Sequence, residues 1–393
     1  MAYFLAMMFL FNMAANFVHP VTPTIIVDLG LNDYMFGLAL AAQMSFNFLF
    51  SPFWGKMSGY ISSKKVMLIS GVLYATGQVF FGLARTEIQF LLARMFAGIF
   101  CGGAYVAFLT YTVNCSNDHN RGKNLTLNAA LTSVSAAFGY FVGGMIGELN
   151  AFYSVWMQVA VLILSSVLLF IGCRDDKEQE LGKISGRILL KECNPFSAFA
   201  QCRAFLTKAL GFLFLSYGLS NLGYIAFEQC FNYYLRDVFE LSSGYNGIIK
   251  AALGIISLAA NSTLCLWILR RKNVSRYMLS VMLVCSLAML GVIFLADMLP
   301  FIIMNVVFFA FQSISLPLYQ NQAALLGQGK QSNLVMGAFN GVKSFGSIFG
   351  SALAGLLYEI HGKLPFAFGF AAFVIAAMLI LPSYDGKKTL HRM

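Results

Sequence analysis

The chain has 393 residues, of which 59% are hydrophobic and only 11% charged, with a formal net charge of +10. That charge density is too low to clothe a water-soluble domain of this length, and apolar runs long enough to cross a hydrocarbon layer of roughly 30 Å recur from end to end. The bases fall in short polar stretches between these runs rather than on an aromatic-interleaved surface, so the positive excess reads as a topology signal and nucleic acid is set aside as a partner.

Twelve membrane-spanning helices are predicted, over 2–28, 35–58, 66–84, 88–112, 124–148, 152–173, 205–235, 244–269, 277–296, 299–326, 333–358 and 364–382. The first is too long for a signal peptide and has no charged n-region or small-residue cleavage site, so it is expected to be retained. Loops of one parity collect Lys and Arg: Lys56, Lys64 and Lys65 after span 2, Arg121 and Lys123 after span 4, and the 174–204 loop after span 6. Arg270, Arg271 and Lys272 follow span 8, Lys330 follows span 10, and Lys387 and Lys388 lie in the tail. The opposite parity holds only Arg85, Arg236 and Lys363. This asymmetry is expected of a multi-pass cell-membrane protein with both termini in the cytoplasm.

The 174–204 loop is the only long polar segment and divides the spans six and six. An N-terminal bundle over 1–173, a cytoplasmic linker over 174–204, a C-terminal bundle over 205–382 and a cytoplasmic tail over 383–393 follow. The halves echo each other: the Arg270-Arg271-Lys272 turn after span 8 corresponds to Lys64-Lys65 after span 2, and the glycines of span 5 recur in span 11 as Gly346, Gly350 and Gly355. The fold class predicted is an all-α membrane protein of two pseudo-symmetric six-helix bundles, with substrate held near the midplane at the repeat interface.

The stretch Ser51–Lys65, SPFWGKMSGYISSKK, resembles the loop between helices 2 and 3 of the major facilitator superfamily, G-x-x-x-D-R-x-G-R-K. Gly55 and Lys64 match in register, while Gly59 stands in place of the Asp. The opening Asn16–Leu38, with Pro20, Pro23 and the Asp28-Leu29-Gly30 turn, is similar to helix 1 of that superfamily's twelve-helix drug:proton antiporters. Arg94 and Gly98 resemble its R-x-x-x-G in helix 4. Gly139-Tyr140-Phe141-Val142-Gly143-Gly144 resembles the antiporter pattern G-P-x-x-G-G, with Tyr140 for Pro. Ala226-Phe227-Glu228 is similar to the helix 7 acid of quinolone-type efflux pumps of Gram-positive bacteria. The resemblance implies the major facilitator fold, alternating access, proton-coupled efflux, a monomer, and gating by Gly55, Lys64 and Lys65.

An ionisable group at bilayer depth is costly and marks a candidate site. Four qualify: Arg94, Glu228, Lys250 and Lys343. Glu228 lies nine residues before Asp237, about 13 Å from that helix end at 1.5 Å per residue, and reads either as a proton- or cation-handling acid or as the partner of a buried lysine. Lys343 lies at comparable depth and reads as the counter-charge of Glu228, as a contact for a substrate anion, or as a structural ion pair. Lys250 is shallower and its stem is long enough to snorkel outward. Arg94 precedes Gly98, Gly102 and Gly103, a small-residue face for close packing. The superfamily often pairs this Arg with an acid in helix 1, but the interior of span 1 offers no acid, only Asn12, Asn16 and His19, so a structural anchor and a coupling group both stay open.

His19 reads as a proton relay or as a satisfied polar group. Asn16, Gln43, Asn47, Gln312 and Asn340 read as cavity lining or interhelical bonds. Tyr224, Phe227 and Phe231 fall near the Glu228 side of span 7 by i, i+3, i+4 spacing, an aromatic setting suited to a lipophilic cation or simply to core packing. Gly139, Gly143 and Gly144 read as packing and hinge elements. No nucleophile–base pair, Walker loop, metal-ligand spacing or dinucleotide fingerprint is present, so no enzyme activity, ATP or cofactor is expected. The reading is a gradient-driven carrier of lipophilic small molecules, exchanging protons through Glu228, Lys343, Arg94 and His19. A carrier of organic anions using Lys250 and Lys343, and a lipid flippase, are the alternatives.

Overall fold

A computed structural model of the chain describes residues 1–116, 118–176, 207–271, 274–326 and 332–390. Every regular element among the described residues is helical. In chain order these are α1 Ala2–Ala15, α2 Thr22–Asp28, α3 Met35–Tyr60, α4 Ser63–Leu83, α5 Glu87–Asn114, α6 Asp118–Leu149 and α7 Ala151–Gly172. After the central loop come α8 Lys208–Asp237, α9 Ser243–Ala260, α10 Leu266–Leu269, α11 Val274–Phe294, α12 Met298–Leu326, α13 Ser332–Ile360 and α14 Leu364–Leu390. Taking α1 with α2, and α9 with α10, gives the twelve rods expected from hydropathy. Seven of the helices are long and apolar enough to cross a bilayer by length and composition alone, and shorter apolar stretches occur at Ala2–Ala15, Met35–Ser51 and Leu364–Ile380.

Two spans differ from continuous helices. The first, expected to run unbroken over 2–28, stops at Ala15 and resumes at Thr22. Pro20 and Pro23 each lack an amide hydrogen; Pro23 fits the opening of α2, where that donor has no partner anyway. Across the break the chain tightens into turns, with the Phe17 amide on Ala14 O at 3.0 Å and the Val21 amide on Val18 O at 3.2 Å. The eighth span carries a π-helical turn at Asn261–Cys265 between α9 and α10, with Asn261 Nδ2 donating back to Ser257 O at 2.9 Å. At the far end, α14 runs on through Leu390, past the residue 382 at which the hydropathy falls away.

Two compact units emerge. One comprises Met1–Pro195 with Leu235–Ala252; the other comprises Phe196–Tyr234 with Leu253–Met393. In the first, Phe4, Phe11, Phe108 and Tyr111 are buried and interlock, with Phe11 edge-on to Phe108 at 5.1 Å and Phe4 against Tyr111 at 4.6 Å between centroids. The first unit depends on close backbone approach. A methyl group on Gly98 of α5 would strike the Gln43 carbonyl of α3, and one on Gly143 of α6 would strike the Phe17 carbonyl. The second unit is built on aromatic rings: Phe227 meets Phe308 at 4.2 Å and Phe366 at 5.0 Å, and Tyr217 stacks on Phe339 at 4.1 Å.

The opening of α9 is tied to other parts of the first unit. Thr24 Oγ1 lies 3.0 Å from Ser243 Oγ, Asn246 Nδ2 donates to the Pro20 carbonyl at 3.3 Å, and the Ser242 hydroxyl and Gly244 amide both donate to Glu148 Oε1. Gly144 and Gly247 leave room for this approach of α6 to α9.

Candidate functional site

In the first unit the predicted residues assemble around Arg94. α5 carries it inward, and it is 5% exposed. Its Nη1 donates to Gln43 Oε1 at 3.1 Å and its Nη2 to Thr22 Oγ1 at 3.3 Å, while the guanidinium carbon sits 3.9 Å from the centre of the Phe81 ring. The Thr22 hydroxyl spends its own hydrogen on Val18 O at 2.8 Å, so it is oriented to accept from Arg94. Gln43 also meets the Cys101 thiol, which in turn meets Tyr74, and Gln158 Nε2 lies 3.5 Å from the Tyr74 hydroxyl and 3.1 Å from Ala15 O. A buried polar chain therefore runs from Arg94 to the end of α1. Arg94 Nε has no acceptor, and no carboxylate pairs with Arg94 among the described residues.

His19 stands beside this chain. Its ring stacks on Tyr140 at 5.6 Å with planes 13° apart, and the Lys250 ammonium lies 5.6 Å from the centre of the same Tyr140 ring. Arg94 and Lys250 both fall within electrostatic reach of His19. Lys250 is 8% exposed, so its stem is turned into the protein and does not snorkel. Asn16 serves its own helix, donating to Asn12 O at 2.8 Å. Asn47 accepts from Ser51 through its side chain at 3.1 Å and packs against Gly102. Gly139 packs on Met13 and Asn16 of the first span.

In the second unit, Glu228 is half-buried on α8. Phe227 and Phe231, its neighbours in the helix, are wholly buried; Phe231 lies 5.5 Å from Phe309 and 6.1 Å from Phe301, and Tyr224 lies 6.4 Å from Phe308. Phe227 and Phe231 therefore wall the core behind Glu228. Lys343 is exposed on α13. Its backbone carbonyl accepts from Asn221 Nδ2 at 2.8 Å, but its ammonium makes no ion pair among the described residues, so it is not brought to the Glu228 carboxylate. Gln312 is buried and takes a 3.1 Å hydrogen bond from Ser315. Gly55 and Asn340 sit on α3 and α13 at positions whose side chains lie outside the described residues, as do Arg121 and Lys123; Lys330 and most of the 174–204 linker lie outside them entirely.

The loop between α3 and α4 is held by residues not singled out from the sequence. Lys64 Nζ lies 3.4 Å from Asp175 Oδ2, and Asp176 accepts from the Ser63 amide at 2.8 Å and from Asn114 Nδ2 at 2.9 Å. Partial burial pushes the Asp175 carboxyl up, but the Ser62 hydroxyl and the Lys64 and Lys65 ammonium groups outweigh it and hold its pKa below the usual carboxylate value. Thr22, Phe81 and Tyr140 were likewise missed as site residues. The one signal available for them was Tyr140, which replaces the proline of the antiporter glycine pattern.

The helical rods, the paired units and the buried polar centre now have an external counterpart. The Major Facilitator Superfamily pattern matches residues 4–328. This chain belongs to the major facilitator superfamily. Among similar members are the quinolone resistance protein NorA of Staphylococcus aureus (strain COL), 22% identical over 377 residues, covering 95% of this chain and 93% of that one. Multidrug resistance protein 1 of Bacillus subtilis (strain 168) is 22% identical over 381 residues with the same coverage. Among solved superfamily folds, a bacterial homologue of the human lysosomal transporter Spinster, inward-facing and unoccupied, superposes with a TM-score of 0.80 at 14% identity over 98% of this chain and 97% of that one. A D-xylose–proton symporter superposes at 0.70 with 15% identity, over 96% of each chain. The major facilitator chain described here is thus a membrane transporter of small molecules and not an enzyme.

Proposed function

We propose that this transporter exports lipophilic small molecules across the cell membrane in exchange for protons, with both termini in the cytoplasm and the chain acting as a monomer. The observation that carries the reading is Glu228, the acid nine residues inside α8, half-buried against rings of the second unit. An acid within an apolar span is costly to keep there and marks a candidate for exchanging protons or cations. The resistance names borne by the NorA and Bacillus relatives support outward movement of drug-like compounds. The superfamily's alternating-access scheme gives the motion, and a proton gradient the drive. Lys343, exposed in the same unit, is assigned a part in coupling as the carrier cycles.

The test is transport in proteoliposomes with an imposed pH gradient, using ethidium and 1-naphthylacetate as cationic and anionic lipophilic probes. Wild type moves a probe when the gradient is applied. Glu228→Gln stops gradient-driven movement while equilibrium exchange of the same probe across the membrane survives. Unchanged gradient-driven transport by Glu228→Gln overturns the assignment.

A further inference from the structure

The first unit buries an arginine, Arg94, that no carboxylate pairs with among the described residues. Arg94 is buried to 5% exposure, and the side-chain oxygens it donates to, those of Gln43 and Thr22, are neutral acceptors. Its Nε hydrogen has no acceptor at all, although a guanidinium presents five donors in a planar fork. The Lys250 ammonium and the His19 ring both lie 5.6 Å from the centre of the Tyr140 ring. Four carboxylates of this unit are engaged elsewhere: Glu87 by Asn32 and Tyr34, Glu148 by Ser242 and Gly244, Asp175 by Lys64, and Asp176 by Ser63. A buried cation without an anionic partner costs several kcal/mol. The Phe81 face and two neutral oxygens offset part of that cost.

We propose that Arg94, flanked by Thr22, Gln43, His19, Tyr140 and Lys250, forms a subsite for an organic oxyanion, a carboxylate carried on an otherwise apolar body. The fork of Arg94 meets a carboxylate through paired N–H···O bonds. Tyr140 and His19 keep part of their surface open and give the aromatic body a flat face to lie on. Gln43 and Thr22 hold the guanidinium through its two terminal nitrogens, which leaves the Nε hydrogen unused. This deepens the export reading by naming the substrate class, and it rests on that reading only for the direction of movement. Binding itself needs no gradient and no Glu228.

The experiment is isothermal titration calorimetry on the full chain in detergent, comparing 1-naphthylacetate with its neutral amide, 1-naphthylacetamide. The acid binds about tenfold more tightly than the amide, the factor supplied by one charge-assisted bond. Arg94→Gln brings the ratio to about one, with amide affinity retained; Lys250→Met lowers it by part of that factor. If Arg94→Gln does not fold, Arg94→Lys, which keeps the charge and loses the fork, lowers the ratio instead. Glu228→Gln keeps the full preference, so loss of gradient-driven transport and loss of anion preference are read separately. Equal affinity for acid and amide in wild type, no binding of either, or an unchanged ratio in the Arg94 and Lys250 variants overturns the proposal. A purely structural Arg94 would lower thermal stability without moving the ratio.

Discussion

Asp176 accepts the backbone N–H of Ser63 at 2.8 Å and its hydroxyl as well, so a carboxylate just beyond α7 closes the first turn of α4. Ser62, the residue preceding that helix, makes no capping bond with its own side chain. The loop from Gly55 to Lys65 carries Gly59 where the superfamily pattern has its acid. Here carboxylates reach the start of α4 from the far end of the same unit. Glu148 does the same for the start of α9. In both places an acid favours the positive end of a helix dipole while satisfying an otherwise orphaned donor.

Removing the first of these caps has a defined cost. Asp176→Ala lowers unfolding stability by about 1 kcal/mol, the range of a lost N-cap, and Asn114 loses its partner at the same time. Thermal unfolding of the detergent-purified protein followed by circular dichroism reads the change. A wild-type melting curve for Asp176→Ala would show that the cap contributes nothing.

Asp175 behaves differently because its side chain is 43% exposed. Its pairing with Lys64 is worth well under 1 kcal/mol after screening by solvent. Its folded pKa is lowered, so the contribution is fully present above the unfolded carboxylate value of about 3.9 and fades as pH falls through the lower folded value. Asp175→Asn is therefore slightly and equally destabilising at pH 8 and pH 5, and the gap to wild type closes only in stronger acid. Melting curves across that range check both the sign and the window.

Gly98 sets how closely α5 can lie against α3. Gly98→Leu forces a side chain into the Gln43 carbonyl and destabilises by roughly 1–3 kcal/mol, the usual cost of overpacking. It also shifts the acceptor of Arg94. Melting temperature and naphthylacetate affinity should fall together; a stable variant with normal affinity contradicts the packing described.

Lys343 is exposed at a depth where a charged side chain facing lipid is costly. Its surface is therefore expected to be wet. In a background where the native cysteines are replaced, Lys343→Cys reacts readily with a charged, membrane-impermeant methanethiosulfonate reagent, whereas Lys250→Cys reacts at least tenfold more slowly, in line with its burial. Equal rates at the two positions would remove the distinction.

The spans were legible because each needs a long apolar run; the break between α1 and α2 was not, although Pro20 lies within it and Pro23 just after it. Arg94 and the lack of an acid in the first span were legible too. Its companions were not, since Thr22, Phe81 and Tyr140 come from three separate elements and only packing unites them. The three bases of the sparse loop parity illustrate the same limit. Arg85 Nη1 donates to Gly82 O at 3.0 Å and Ala84 O at 2.8 Å, and Lys363 Nζ to Ile293 O at 2.9 Å and Leu295 O at 2.8 Å. Arg236 lies in the last turn of α8. Each sits where a helix presents its carbonyls, so cap chemistry overrides the charge asymmetry. The aromatic residues around Glu228 show how spacing alone misleads: i, i+3 and i+4 identify a face, but Phe227 and Phe231 are buried against α12 rings, while the acid between them stays half-open.

Residues Leu235–Ala252 belong with the first compact unit although they are encoded after the central loop. A ribosome that has released residues 1–195 has therefore not yet delivered the segment bearing Ser243, Asn246 and Lys250. Glu148, Pro20 and Tyr140 must wait in the membrane for these partners until a further stretch has been translated and inserted. Messenger truncations placed between those points would leave a nascent bundle with its polar contacts unmet and open to quality-control proteolysis.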